Sequence, residues 1–380
     1  MIAWFRYICL IVSLIITLPE LLSAQRLVSQ RQEDVEAGLL YNESVYILSN
    51  YSCLSSNSPE KLSLDELLRK QIEGFYFYLK RDTETNVLLL RKPDGTFTPF
   101  SESLEAIKTA LDADSTKVMT LFLDFYVETE LESSFKEIGL MEYVLEYDTK
   151  NGWPSLKNML SSGKRLVVFE VQKHLNSPSW LHNMRDFVEH TDADWGNQPE
   201  GVESFDERLK KNLSLFTGYK FLETSRGNSN DISALARQTP YLIESFKRAW
   251  IRDGRVPNFV LVDKYYAWLD VSLVTFRNFD IIYGAVTNNN ELLNYVNWDG
   301  MSNYTTGKYC FPLEPGAELM LSPISPGYRI EPATVYVSGT QRKAFAGDFK
   351  ARPLRIDEDI EIYLPFEGDE KDGSSNHNLT

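Results

Sequence analysis

Gly152 to Glu170, GWPSLKNMLSSGKRLVVFE, holds a helix, a stop and a buried strand in sequence. Pro154 suits the first helical position, where its missing N–H costs nothing. Leu156, Met159 and Leu160 recur at helical spacing, and Ser161-Ser162-Gly163 ends the pattern. The charged pair Lys164-Arg165 then leads into Leu166–Val171, a run with almost no polar residue. A helix followed by a strand that is apolar on both faces is the building unit of a parallel sheet covered by helices.

The same alternation extends to both sides. Apolar runs read as strands at Val45–Ser49, Phe75–Leu79, Val87–Leu90, Val118–Leu123, Leu166–Val171, Leu213–Thr217, Phe259–Val262 and Asp280–Ala285. Amphipathic patterns lie between several of them, at Leu64–Leu68, Leu104–Leu111 and Tyr241–Trp250. Ser63 and Ser101 stand where the first two of these helices would be capped. Eight strands alternating with helices fit a (β/α)8 barrel, and the pattern alone leaves a doubly wound open sheet as its rival.

Beyond about Asn290 the chain changes character. Pro315-Gly316 and Pro326-Gly327 separate short β-like runs such as Thr334–Ser338 and Ile360–Leu364. The expected organisation is a signal peptide over 1–24, a barrel over 25–290, a small β-rich module over 291–366 and a disordered acidic tail over 367–380. Arg6, the apolar run Ile8–Leu18 and Leu22-Ser23-Ala24 carry the charge, core and cleavage pattern of a secretory leader. No later segment has the length and apolarity of a membrane helix, so a secreted, extracellular chain is expected.

With a net charge of −15, nucleic acid and anionic lipid are poor nonspecific partners, though local basic pockets are compatible with that balance. Removing the leader leaves Cys53 and Cys310 as a candidate disulfide, which the sequence leaves open. Sequons at Asn42, Asn50, Asn212, Asn303 and Asn378 are glycosylation acceptors if the source is eukaryotic and chance matches if it is bacterial. No zinc, redox or organic-cofactor motif is present.

Several segments, in order from about Tyr41 to Ala285, resemble the X domain of secreted phosphatidylinositol-specific phospholipase C proteins. The opening stretch is similar to that family's W-P-T/S-L-x-x-M-I-x-S-G-K-R-L-V-V-F. Gln71-Ile72-Glu73-Gly74-Phe75 resembles its Q-I/L-x-x-G-V/F, and Lys117–Val127 its E-V-V-T-L-x-L-E-D-Y-V. Ser179–His182 looks like its x-W-Y-H, and Val256–Lys264 like its x-P-N-F-V-L-V-D-F. The resemblance decides for a PLC-like (β/α)8 barrel with a small β-rich module.

It also implies a mechanism. One histidine takes a proton from the inositol 2-hydroxyl, a second protonates the departing oxygen, and carboxylates and a cation orient and neutralise. Here the first histidine in the chain is His174. Alignment to the family places Asn50 and Arg91 at the two histidine positions, and Tyr76 and Tyr78 at the carboxylates of the second strand. Asparagine cannot take a proton at neutral pH and arginine cannot release one. Asp124 and Asp263 match acidic positions of the family, and Glu170 is placed by its strand end. With Arg91, Lys92 and Lys264 they would line a mixed-charge pocket.

Each of these residues has a plainer reading. Arg91 is expected to pair with Asp124 or Glu170 as readily as with a ligand phosphate. Tyr76 and Tyr78 are either a platform for a ring or filling for the barrel mouth. His174 and His182 are minor candidates for a relocated acid or base. The expected function is therefore a catalytically silent barrel that binds a phosphorylated or sugar-like ligand, without cofactor or metal. The alternative is a phosphoric diester hydrolase with rearranged residues, for which Ca²⁺ is a candidate, and a purely structural secreted protein is the third reading.

Overall fold

The computed structural model describes residues 31–52, 62–70, 72–125, 131–172, 177–192, 213–217, 239–262, 275–300, 304–339 and 342–355. The leader, Cys53, His174, Asn212, Asp263, Lys264, Asn303, the run Ile360–Leu364, Asn378 and the acidic tail lie outside these residues. The chain divides into two compact units, the second formed by Trp250–Arg255 and Phe279–Thr380.

The first unit is mixed α/β. Its elements are β1 (Tyr46–Ser49), α1 (Leu64–Arg69), β2 (Gly74–Arg81), β3 (Leu88–Arg91), β4 (Phe97–Pro99), α2 (Phe100–Ala113), β5 (Met119–Asp124) and α3 (Leu131–Ile138). They continue as α4 (Leu156–Ser162), β6 (Leu166–Glu170), β7 (Leu181–Asn183), α5 (Met184–Phe187), β8 (Val188–Asp192), β9 (Leu213–Thr217), α6 (Thr239–Asp253, of which Trp250 onward belongs to the second unit) and β10 (Phe259–Val262).

Ser63 caps α1 through a full capping box with Glu66. In the opening stretch, Ser155 rather than Pro154 begins α4: its hydroxyl accepts from the Asn158 N–H, so the proline falls just outside. Gly163, at φ 74°, closes that helix in the left-handed conformation. Helix α2 starts at Phe100, which leaves Ser101 inside its first turn rather than at the cap.

Strands β1, β2, β5, β6 and β7 run parallel in chain order, as do β8, β9 and β10, and β10 pairs back on β1 with Tyr46 opposite Phe259. Among the described residues the hydrogen-bonded order ends at β7 on one side and β8 on the other, with no pairing between those two strands. The connection explains the missing pair. Neighbouring parallel strands need a crossover of about a dozen residues, and only the four-residue α5 separates β7 from β8.

Two of the eight expected strands have other places. The run at Val87–Leu90 becomes β3, which folds back antiparallel on the upper half of β2 and pairs with β4, making a three-stranded ribbon. Asp280–Ala285 belongs to the second unit. The parallel sheet takes β7 and β8 instead, each too short or too polar for its run to stand out. In the second unit Asp280–Asn288 pairs with Lys308–Leu313 and Lys343–Pro353 around Ile282, Trp298, Tyr309, Phe311 and Phe349. Val335–Ser338 pairs with Glu318–Leu321.

Register sorts the parallel sheet into two faces, because side chains alternate along each strand. Tyr76, Phe122 and Phe169 share one face through the pairs Tyr76–Phe122 and Phe122–Phe169. Phe122 also meets Phe259, four strands away from Phe169, with ring centres 5.2 Å apart, so this face curves inward on itself. Tyr41, Tyr46 and Trp153 extend the aromatic packing, and the Tyr41 hydroxyl is 2.7 Å from Thr120 Oγ1. The other face carries Phe75 and Phe77, the latter packed on Phe100 of α2. Gly74 leaves no room for a side chain: a Cβ there would lie 2.2 Å from the Thr120 carbonyl oxygen and 2.4 Å from Leu48 Cδ2.

Below the sheet, at the N-terminal ends of β1 and β2, Glu73 is gripped by Arg31 and Arg277, and Arg31 also reaches Asp34 at 3.4 Å. All four side chains are buried.

Candidate functional site

The C-terminal ends of the parallel strands and the adjoining ribbon bring together a polar group whose members come from the turn after β1 and from β2, β3 and β5. Tyr76 and Tyr78 sit two apart on β2, so both take the inward face, and Tyr78 is in register with Asp124. The Tyr76 hydroxyl donates to Asp124 Oδ2 at 3.0 Å, while Asp124 Oδ1 is buried with no hydrogen bond. A carboxylate with one oxygen bonded and the other bare is ready to accept one further donor.

Ser52 organises the rim. Its buried hydroxyl accepts the Tyr78 N–H at 2.8 Å and donates to the Arg91 carbonyl at 3.0 Å. β1 pairs with β2 only at Gly74 and Phe75, so beyond that point the Tyr78 N–H has no β1 residue opposite, and Ser52 takes the place of the ladder. Tyr51, buried against the edges of Phe75 and Phe77, anchors the same turn, and burial raises its phenol pKa. Asn50, the residue after β1, is half-buried beside this clasp.

Arg91 ends β3 with its guanidinium 5.7 Å from the centre of the Tyr78 ring. The expected pairing of Arg91 with Asp124 or Glu170 is not formed, and among the described residues it is bonded to no carboxylate. Lys92 starts the turn that follows, its N–H bonded to the Thr96 carbonyl.

Glu170 does not join this group. It pairs with Leu123, one residue before Asp124, and so falls on the opposite face from Asp124 and Phe169. There it is buried and accepts from Ser177 Oγ at 2.6 Å and Asn183 Nδ2 at 3.2 Å. A one-residue phase difference separates two carboxylates that each end a neighbouring strand. Among the described residues, no three His, Cys, Asp and Glu side chains come together to hold a metal ion.

His182 is a packing residue. It is buried among Trp153, Phe169 and Phe187, and Nε2 lies 3.1 Å from the Leu145 carbonyl. Burial lowers its pKa below the usual value of 6.5, which keeps it neutral. Cys310 is buried in the second unit and accepts a 3.1 Å hydrogen bond from Trp250 Nε1.

The sequence reading missed Ser52, whose only signal was its place in the Asn50 sequon, and missed Asn183 and Ser177, which carry none. It also missed the ribbon, because an apolar run has no mark that distinguishes an antiparallel strand from a parallel one.

Arg91 and Asp124 of this rim fall within a segment that matches a family, whereas Asn50, Ser52, Tyr76 and Tyr78 precede it. Residues 90–199 match the PI-PLC X family. The PLC-like resemblance read from separate motifs is thus found independently over these residues. No curated protein matches the chain. Among solved structures, the chain is similar to a mutant of the phosphatidylinositol-specific phospholipase C of Staphylococcus aureus, at 14% identity and a TM-score of 0.39, covering 64% of this chain and 97% of that one. The phosphatidylinositol-specific phospholipase C of Listeria monocytogenes gives 13% identity and a TM-score of 0.39, over 64% of this chain and 98% of that one. PLC21 of L. pealei gives 12% and 0.36, over 60% of this chain and 31% of that one.

Proposed function

We propose that this chain is a secreted, PLC-like barrel that binds a phosphorylated, sugar-like ligand at the β2–β3–β5 rim without turning it over. The observation that carries the reading is Arg91: a guanidinium laid on the Tyr78 ring, bonded to no carboxylate among the described residues, with Tyr78 in register with the Asp124 that Tyr76 bonds. An arginine so placed offers a planar fork of N–H groups to a phosphate, and the tyrosine and carboxylate offer partners for ring hydroxyls. The positions aligned with the family's two histidines hold Asn50 and Arg91, neither of which moves a proton at neutral pH. The same reading makes the unpaired β7/β8 seam a relaxed form of the family's closed barrel.

A second reading rests on the bare, buried Oδ1 of Asp124. It makes Asp124 a general base and Arg91 the phosphate cation of a rearranged phosphoric diester hydrolase.

Inositol phosphate release from phosphatidylinositol vesicles, with and without Ca²⁺, separates the two. The silent reading expects no turnover above Arg91→Ala, together with calorimetric binding of inositol 1-phosphate that Arg91→Ala removes. Turnover lost in both Arg91→Ala and Asp124→Ala would establish the second reading instead.

A further inference from the structure

The main sheet of the second unit has a basic outer face. Ile282, Tyr309, Phe311, Ile330 and Phe349 point into the core, so alternation turns their strand neighbours outward. Trp250 covers one corner of that face, where it bonds the buried Cys310. Register places the rest. Lys308 aligns with Ala285 and Ala285 with Asp348, Thr287 with Lys350 and Lys350 with Glu331, and Arg352 with Arg329. At the other end Ile281 aligns with Lys343 and Tyr283 with Phe345.

Among the described residues, the paired strands thus turn five cations outward, Lys308, Arg329, Lys343, Lys350 and Arg352, against the two carboxylates Glu331 and Asp348. Lys308, Arg329 and Lys350 are exposed. Arg329 Nε lies 3.4 Å from Glu331 Oε1, and Lys350 Nζ lies 3.3 Å from Thr287 Oγ1. The 11-residue strand Lys343–Pro353 gives the strip a length of about 35 Å, and its four strands a width of about 14 Å. In a chain of net charge −15, repulsion keeps a polyanion off most of the surface, and a strip of this sign is where one can lie.

Two rings belong to the strip. Tyr283 and Phe345 have centres 5.5 Å apart and planes at 48°, and Lys343 Nζ is 5.1 Å from the centre of the Tyr283 ring. Phe345 is 57% exposed. Rings beside cations offer an apolar surface to the C–H face of a sugar and charge to its acidic groups.

We propose that this strip docks a linear sulfated polysaccharide, which lies along Lys343–Pro353 with sulfates at the cations and one sugar on Phe345. The inference is independent of the β2–β3–β5 rim, which belongs to the first unit. A long, narrow row of cations suits a thread-like polyanion. A bilayer is held instead by a broad apolar face sunk among its lipids.

Titration calorimetry of the full chain tests it with a heparin dodecasaccharide, the same oligosaccharide stripped of sulfate, and phosphatidylcholine–phosphatidylserine vesicles. Only the sulfated oligosaccharide should bind, and its affinity should fall steeply between 50 and 200 mM salt as counterions are released. Lys350→Gln with Arg352→Gln should weaken binding about tenfold, from two lost exposed ion pairs, and Lys308→Gln about threefold. Lys308→Gln, exposed and opposite Ala285, carries the test if the double variant folds poorly. Phe345→Ala should weaken binding without changing its salt dependence. Lys150→Gln, which removes an exposed cation of the first unit, should change nothing, and neither should Arg91→Ala.

Failure of the sulfated oligosaccharide to bind, or equal loss in Lys150→Gln, would overturn the strip. Loss in Arg91→Ala would move the binding to the rim and overturn it too. Binding of the vesicles in place of the oligosaccharide would assign the face to a membrane instead.

Discussion

The two ends of the parallel sheet handle charge in opposite ways. Below it, Arg31, Asp34, Glu73 and Arg277 form a buried set of two cations and two anions, with Glu73 between the two arginines. At the other end Arg91 rests on the Tyr78 ring, bonded to no carboxylate among the described residues, and Asp124 keeps a bare oxygen. Charge that is neutralised inside the protein has no capacity left for a ligand. Charge that is held in place yet left unneutralised does. The lower end is therefore expected to govern stability and the upper end binding, a division that substitutions can break.

The largest effect is expected at Glu73. Glu73→Ala leaves two buried guanidiniums facing each other, and breaking such a set costs about 3–5 kcal/mol. Denaturant unfolding should show it as a lower midpoint, and a loss below 1 kcal/mol would remove the contrast between the ends. Ser52→Ala comes next. It strips partners from the Tyr78 N–H and the Arg91 carbonyl, at about 1–3 kcal/mol, and should weaken phosphate binding by displacing Arg91. Tyr76→Phe removes the one hydroxyl donated to Asp124 and should cost about 1 kcal/mol by the same measurement.

His182 gives a pH-dependent effect. Its folded pKa lies below the unfolded value of 6.5, so above that pH both states are neutral and equally protonated. As pH falls below about 6.5, the unfolded chain takes up a proton that the folded chain refuses. Stability then declines by at most about 1.4 kcal/mol per pH unit until the folded histidine titrates. Unfolding at pH 7.5 and 5.5 should show this decline, and His182→Phe should reduce it. Smallest of all for stability is Arg91→Ala, expected within about 0.5 kcal/mol of the parent, although it removes phosphate binding. An Arg91→Ala protein that unfolds much earlier would mean that the upper end is structural after all.

Much of the first unit was legible because its signals are local. The stretch Gly152–Glu170 shows its helix, its glycine stop and its strand through residue type alone, and Ser63 with Glu66 marks the start of α1. Strand partnership is not local. Val87–Leu90 and Leu166–Val171 are alike in composition, yet the first returns antiparallel through the turn after Arg81 while the second lies between parallel neighbours. The site shows the same limit. Asp124 and Glu170 look equivalent as acids at strand ends, and only register reveals that one faces Tyr76 and the other Asn183. The Glu73 cluster was illegible for a related reason, since its partners are 42 and 204 residues away in the chain, as 73−31 and 277−73.

The pairing of β1 with β10 has a consequence for how the protein is made. Tyr46 meets Phe259, 213 residues later as 259−46, and Asn258 ties the same seam through Tyr46 N–H and the Ser44 carbonyl. A ribosome adding about 5–20 residues per second delivers that partner roughly 10–40 s after β1 emerges. Over that interval one edge of β1 waits unpaired, with Tyr46, Ile47 and Leu48 beside it. Contacts of such long sequence separation also slow the search that completes a fold. Biogenesis of this chain thus hinges on its last parallel strand, and truncation before Phe259 should yield a product that chaperones retain.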